Sequence, residues 1–161
     1  SGIFSYRAIK ETNEQLVLQN RSLKSWLNSF VKTKNENETF IYKSENGDIS
    51  VPVNPQRIIV LNSALSGHVL ALKGNIVGID KWSKNNPTFL ELVKDIPEVS
   101  DENLEQIIEL NPDLIITAST DKNIDKLKAI APTVSYTYGK VDYLTQFVEI
   151  GKLLNKELLV Y

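Results

Sequence analysis

The chain has 161 residues, 42% hydrophobic and 24% charged, a balance that suits a soluble globular protein with a real core. A net charge of −2 excludes a nucleic-acid surface built on phosphate contacts, because there is no basic excess to release counterions. With no cysteine there can be no disulfide, thiolate metal site or cysteine nucleophile, and a single histidine argues against a zinc cage.

The opening "SGIFSYRAIKETNEQ" has no signal-peptide pattern, so export would need an address beyond these residues, and no apolar run is long enough to cross a bilayer. Residues 5 to 31 read as a helix. Leu16, Leu23, Leu27 and Phe30 follow one another at helical spacings with Trp26 beside them, which gives one apolar face. The polar "KTKNENE" (32 to 38) reads as a linker and predicts two parts, 1–38 and 39–161. "TFIYKSENGDISVPV" predicts a β-hairpin turning on Asn46-Gly47, a pair that accepts the positive φ angles of a type I′ turn, with Pro52 confining the second strand to an edge.

From residue 57 the rhythm changes. "RIIVLN" is a continuous apolar run, as expected of a strand buried on both faces. A helix over "ALSGHVLALKG" follows, with Gly74 placed to terminate it. "NIVGID" predicts a second strand, "LEQIIELNP" a helix stopped by Pro112, and "DLIITA" a third strand. "KNIDKLKAIA" predicts another helix, "TVSYTY" a fourth strand, and a last helix begins near Tyr143 with Phe147, Ile150 and Leu154 on one face. Alternating strands and helices imply an α/β fold: a Rossmann-like parallel sheet flanked by helices, preceded by an N-terminal helix and the hairpin.

Open α/β sheets bind ligands beyond the carboxyl ends of their strands, where strand order reverses. The segments to inspect are therefore "NSALSGH", "KWSKNNP", "STDK" and "YTYGKVDY". Tyr136 and Tyr138 point to one face if both lie on the strand, and Tyr138, next to Gly139, is placed at the rim with a flat apolar ring and a hydrogen-bonding tip. Tyr136 reads as core, and Tyr143 as packing on its own helix. Trp82, in the polar loop after the second strand, either meets a ligand or covers a core edge. Lys81 and Lys84 flank it and would suit an anionic ligand, although solvation accounts for them more simply.

His68 stands near Ser63 and Ser66, but "NSALSGH" is not the nucleophile elbow of a hydrolase, and there is no second histidine. His68 reads as a residue that caps the helix or lines the rim. Ser63 and Ser66 read as caps whose helix turns its N–H groups toward that rim. Asp101, Glu102, Glu105 and Glu109 fall in the first turns of a helix, where the dipole favours negative charge; they read as a solvated acidic face or a docking surface for a basic partner. No nucleophile–base pair is found, so an enzyme is not expected.

Taken together, "NPQRIIVLNS", "NIVGID", "NLEQIIELNPDLIITASTDKNIDKLKAIAPTV" and "YLTQFVEIGKLLNKE" resemble the amino-terminal lobe of iron–siderophore-binding proteins of Gram-positive ABC importers, the ferric-hydroxamate or ferrichrome branch in particular. The likeness runs from about Thr39 to Glu157. It implies one lobe of a periplasmic-binding-protein-like fold of the helical-backbone type (class III), in which two lobes joined by a long helix hold the chelate between them. It also implies that iron arrives inside the siderophore, with no metal ligand or other cofactor from the protein. By position the resemblance makes Tyr138 a cleft residue, puts Trp82 in a cleft-edge loop, and pairs Glu105 with an arginine of the membrane permease. Ser63, His68 and Lys84 complete the expected ligand-binding set.

Two features depart from that pattern. The chain stops at "NKELLVY", where the connecting helix would begin, so the C-terminal lobe is expected to be absent and binding to be weak. The front end carries an amphipathic segment in place of the cysteine and polar tether of a lipid-anchored receptor. The expected setting is outside the cell membrane, serving an ABC permease. The alternative is the sensing lobe of a cytoplasmic AraC-type transcription regulator that responds to a siderophore; an interaction scaffold with a vestigial cleft is a third reading.

Overall fold

The computed structural model describes residues 11–25 and 38–156. The chain divides into two units, Ser1–Asn37 and Glu38–Tyr161. Within the first, residues 11–25 are helical and exposed, Leu16 and Leu23 among them. Trp26, Leu27 and Phe30 of the predicted stripe, and the linker up to residue 37, lie outside the described residues.

The second unit opens with strands β1 (Thr39–Ser44) and β2 (Gly47–Pro52), an antiparallel ribbon in which Ser44 pairs with Gly47. That register makes Glu45 and Asn46 the turn, one residue earlier than the expected Asn46-Gly47. Gly47 does supply a positive φ, +113°, but as the first residue of the return strand. Ser44 decides the matter locally: its Oγ donates to the Gly47 carbonyl (2.6 Å) and accepts from the Asn46 amide (3.3 Å).

Then come β3 (Ile58–Val60), α1 (Ser63–Ala71), β4 (Ile76–Ile79), α2 (Lys81–Lys84), a 3-10 turn (Pro87–Phe89) and α3 (Leu90–Val93). They are followed by α4 (Leu104–Glu109), β5 (Leu114–Ala118), α5 (Ile124–Lys128), β6 (Thr133–Tyr136) and α6 (Tyr143–Leu153). The four long-range strands are parallel, in the order β4-β3-β5-β6. The chain thus leaves β3 for β4 on one side and resumes at β5 on the other. Strand order reverses between β3 and β5, where an open α/β sheet has its crevice.

Both faces of the sheet are covered, which is why its strands are apolar runs. Ile58, Val60, Leu114, Ile116 and Val134 pack on one face with Leu65, Val69 and Leu72 of α1 and its C-cap, Ile150 and Leu153 of α6, and Tyr42 and Val51 of the hairpin. Ile59 and Ile115 face the other way, onto Ile107 of α4 and Leu127 of α5. The expected end of α1 is corrected in one detail. Lys73, with φ 57°, takes the left-handed position assigned to Gly74. Gly74 is needed for space: a Cβ there would stand 2.7 Å from Val69 Cγ1 and 3.2 Å from Ile58 Cδ1.

Candidate functional site

A recess of about 530 Å³ opens where β3, β5 and β6 end, at the switch point. One wall is the start of α1, from Asn62 to Leu65 and on to His68; a second is Ala118 to Thr120 after β5. The third runs from the end of β6 through Tyr138 and Gly139 to Tyr143 and Gln146 of α6.

Each wall has a local cause. The cap of α1 is Asn62 rather than Ser63 or Ser66: its Oδ1 accepts from the Ala64 amide at 2.9 Å. Ser63 is left as the first helical residue, half-buried in the wall. Ser66 is fully buried, and its hydroxyl donates to Asp80 Oδ1 (2.6 Å), whose other oxygen caps α2 by accepting from the Ser83 amide (2.9 Å). Asp142 caps α6, accepting from the Thr145 amide at 2.7 Å, and those Thr145 hydrogen bonds hold its carboxyl below the usual range.

Tyr138 stands as its neighbour Gly139 suggested, in the mouth of the recess and 92% exposed. The expectation that it shares a strand face with Tyr136 is not met, because β6 ends at Tyr136. Tyr136 is core, 3% exposed, and its phenol meets that of Tyr42. Past it the chain turns with Gly139 at φ +80°, where a side chain would be strained.

Tyr143 is corrected. It is 78% exposed, and its ring leans across to His68, centroids 4.6 Å apart, instead of packing on its own helix. Phe147 stands on the same imidazole at 5.6 Å. His68 is thereby 3% exposed, and its Nδ1 is buried with no hydrogen-bond partner. Burial pushes its pKa down, so the ring is neutral around pH 7. A buried ring nitrogen left unpaired costs free energy and is uncommon.

The remaining expected residues do not join the recess. Trp82, 62% exposed on α2, lines a separate hollow of about 500 Å³ with Lys81, Asn85, Asn86 and Pro87. Lys84 is not a free cation for a ligand. Its ammonium donates to the carbonyls of Val93 (2.8 Å) and Lys94 (2.9 Å), satisfying the open C-terminal end of α3. Glu105 and Glu109 are exposed on α4, which packs through Ile107 on the sheet face away from α1 and α6.

Among the described residues, no lysine or arginine lines the recess, and Asp142, the one carboxylate there, is committed to its cap. What it offers is the exposed phenols of Tyr138 and Tyr143, small hydroxyls, the carboxamides of Asn62 and Gln146 and a neutral imidazole. Such a surface accepts a flat or rounded ligand with polar edges by ring contact and hydrogen bonding. Sequence reasoning points to the segments that hold Asn62, Ser119 and Thr120 without giving these residues a role, and it misses Gln146; the Asp142–Thr145 spacing is the signal that fixes the start of α6 and brings Gln146 into view.

Comparisons place this geometry among known proteins. The family described as "Periplasmic binding protein" matches residues 58–158. The iron(3+)-hydroxamate-binding protein FhuD of Bacillus subtilis is 37% identical over 122 residues, which cover 74% of this chain and 39% of that protein. The structure of unliganded FhuD2 from Staphylococcus aureus superposes with a TM-score of 0.73 at 35% identity, covering 76% of this chain and 45% of that one. FhuD2 with bound ferrioxamine B gives 0.63 at 35% identity, covering 66% and 41%. The chain spans less than half the length of these relatives.

Proposed function

This chain belongs to the periplasmic binding protein family, and we propose that its switch-point recess is one half of a binding site for an iron(III)–siderophore complex. The fold is one lobe of a periplasmic-binding-protein-like fold, and the family is one of substrate-binding proteins rather than enzymes. The observation that carries the reading is the exposed phenol of Tyr138 over a recess in which, among the described residues, there is no cation and no free carboxylate. A siderophore already saturates its iron. The protein therefore needs only to grip an organic shell, and rings with hydroxyl tips do that without competing for the metal.

In this reading Tyr138 and Tyr143 lie against the chelate, Ser63 hydrogen-bonds its rim, and His68 forms the floor beneath Tyr143. Trp82 serves a more distant edge that only a large ligand or a second lobe reaches. Residues 39–161 act as the binding lobe, and residues 1–38 as a separate part. Glu105 on the opposite face is the docking residue for an ABC permease. In this reading the protein works outside the cell membrane, and two relatives named as lipoproteins support that setting. The cytoplasmic regulator finds no support among the named relatives.

Equilibrium dialysis of a coloured ferric trihydroxamate against this chain tests the proposal. Binding that Tyr138→Ala weakens by about tenfold is expected, the contribution of one stacked aromatic contact with its hydrogen bond. Uptake that Tyr138→Ala leaves unchanged would remove the reading.

A further inference from the structure

We propose that Glu45, at the tip of the β1–β2 hairpin, is a positioning residue for the binding recess: its carboxylate fastens the end of β6 and so sets where Tyr138 stands. The proposal rests on the binding reading above and extends it to a part of the chain that the family match, residues 58–158, does not include.

β6 is the edge strand of the parallel sheet, and its pairing with β5 stops at Tyr136 opposite Ala118. Beyond that pair, the Thr137 amide has no ladder partner. A main-chain N–H so placed has to find an acceptor elsewhere. Glu45 supplies it. Thr137 N donates to Oε1 at 3.1 Å, and Thr137 Oγ1 donates to Oε2 at 2.7 Å. Both oxygens of one carboxylate are thus spent on the residue immediately before Tyr138. Hydrogen bonds to an ionised acceptor are stronger than neutral ones, and two from one residue fix its orientation as well as its position.

The grip extends across the recess. Thr137 Oγ1 also stands 2.9 Å from Ser119 Oγ, within hydrogen-bond distance, and Ser119 belongs to the wall after β5. Beside it, Asn46 Nδ2 donates to Ser135 Oγ at 2.9 Å, holding the same hairpin tip to β6. Tyr138, exposed as it is, has no packing of its own to fix the chain there. The direction in which the chain leaves Thr137 decides where the phenol points, and Gly139 then turns it toward Tyr143.

The test compares this chain with Glu45→Ala, Glu45→Gln and Tyr138→Ala by backbone NMR relaxation and by dialysis of a ferric trihydroxamate. In Glu45→Ala the amide order parameters of Thr137, Tyr138 and Gly139 should fall from about 0.85 toward about 0.6, while those of Ile115 and Ile116 in β5 stay put. Affinity should drop roughly tenfold, in line with two charge-assisted hydrogen bonds lost from a partly exposed site. Glu45→Gln should restore most of both: its carbonyl accepts from the Thr137 amide and its NH2 donates to Thr137 Oγ1. Unchanged order at residues 137–139 in Glu45→Ala would overturn the proposal, as would affinity within about twofold of the parent while Tyr138→Ala still weakens binding. If Tyr138→Ala leaves affinity unchanged, the binding reading itself falls, and the relaxation data still decide the clamp.

Discussion

The phenol oxygens of Tyr42 and Tyr136 lie 2.9 Å apart in the core, joining the hairpin to the last strand of the parallel sheet. Tyr42 also donates to the Glu149 carbonyl at 3.3 Å, so Tyr136 gives its proton to Tyr42 and Tyr42 passes its own to α6. Burial pushes both phenols above their ordinary pKa. Tyr42→Phe strands the Tyr136 hydroxyl without an acceptor and should cost about 1–3 kcal/mol. Tyr136→Phe leaves Tyr42 its carbonyl and should cost about 1 kcal/mol. The double variant should cost less than the sum of the two. Urea unfolding of the three variants checks the order; a reversed order would mean that the protons run the other way.

Lys73 and Gly74 make a paired prediction at the end of α1. Lys73 sits at φ 57°, a region that disfavours a side chain by about 1–2 kcal/mol, so Lys73→Gly should be neutral to stabilising by up to about 1 kcal/mol. Gly74→Ala pushes a methyl into Val69 and Ile58 and should cost about 1–3 kcal/mol. Thermal unfolding of the two variants reads both signs.

His68 gives the fold a pH dependence of definite sign. Its pKa is lowered by burial, whereas the unfolded chain titrates near about 6.5. Above about pH 6.5 neither state takes the proton; below it the unfolded state binds one that the folded state refuses, so stability falls with pH. His68→Phe keeps the packing on Tyr143 and Phe147 and removes this loss. Its stability relative to the parent should therefore rise between about pH 7.5 and about pH 5 in urea unfolding. A constant difference would show that His68 is not the group.

Lys84 separates structure from binding. Removing its ammonium by Lys84→Met unsatisfies the carbonyls of Val93 and Lys94, a loss of about 1 kcal/mol of stability. Affinity for a ferric trihydroxamate should not change. A selective loss of affinity in dialysis would return Lys84 to the ligand.

The sheet was readable because its strands are buried on both faces: "RIIVLN", "NIVGID" and "DLIITA" leave no polar face to mislead. The rim position of Tyr138 was readable from Gly139 beside it. The hairpin was readable but one residue out of register, since a glycine with positive φ fits either the turn or the first residue after it, and Ser44 chose between them. The short helix α2 lies in a segment that reads as loop, and α3 leaves no pattern either, because four residues make barely one helical turn and show no repeat. The roles of Lys84, Tyr143 and Glu45 were hidden for one reason. Each is set by a partner on another element, and Glu45 meets Thr137 across 92 positions of sequence. Local pattern carries no trace of such contacts.

The central claim is that the recess between β3, β5 and β6 receives the chelate. High-spin ferric iron broadens the NMR signals of nearby amides, whereas the gallium(III) form of the same trihydroxamate does not, so comparing the two locates the ligand even when binding is weak. Selective broadening of Ala64, Ser119, Tyr138 and Tyr143, with Ile108 on α4 spared, is the predicted result. Broadening centred on α4 or on the hollow beside Trp82, or none beyond that seen with gallium, would contradict it.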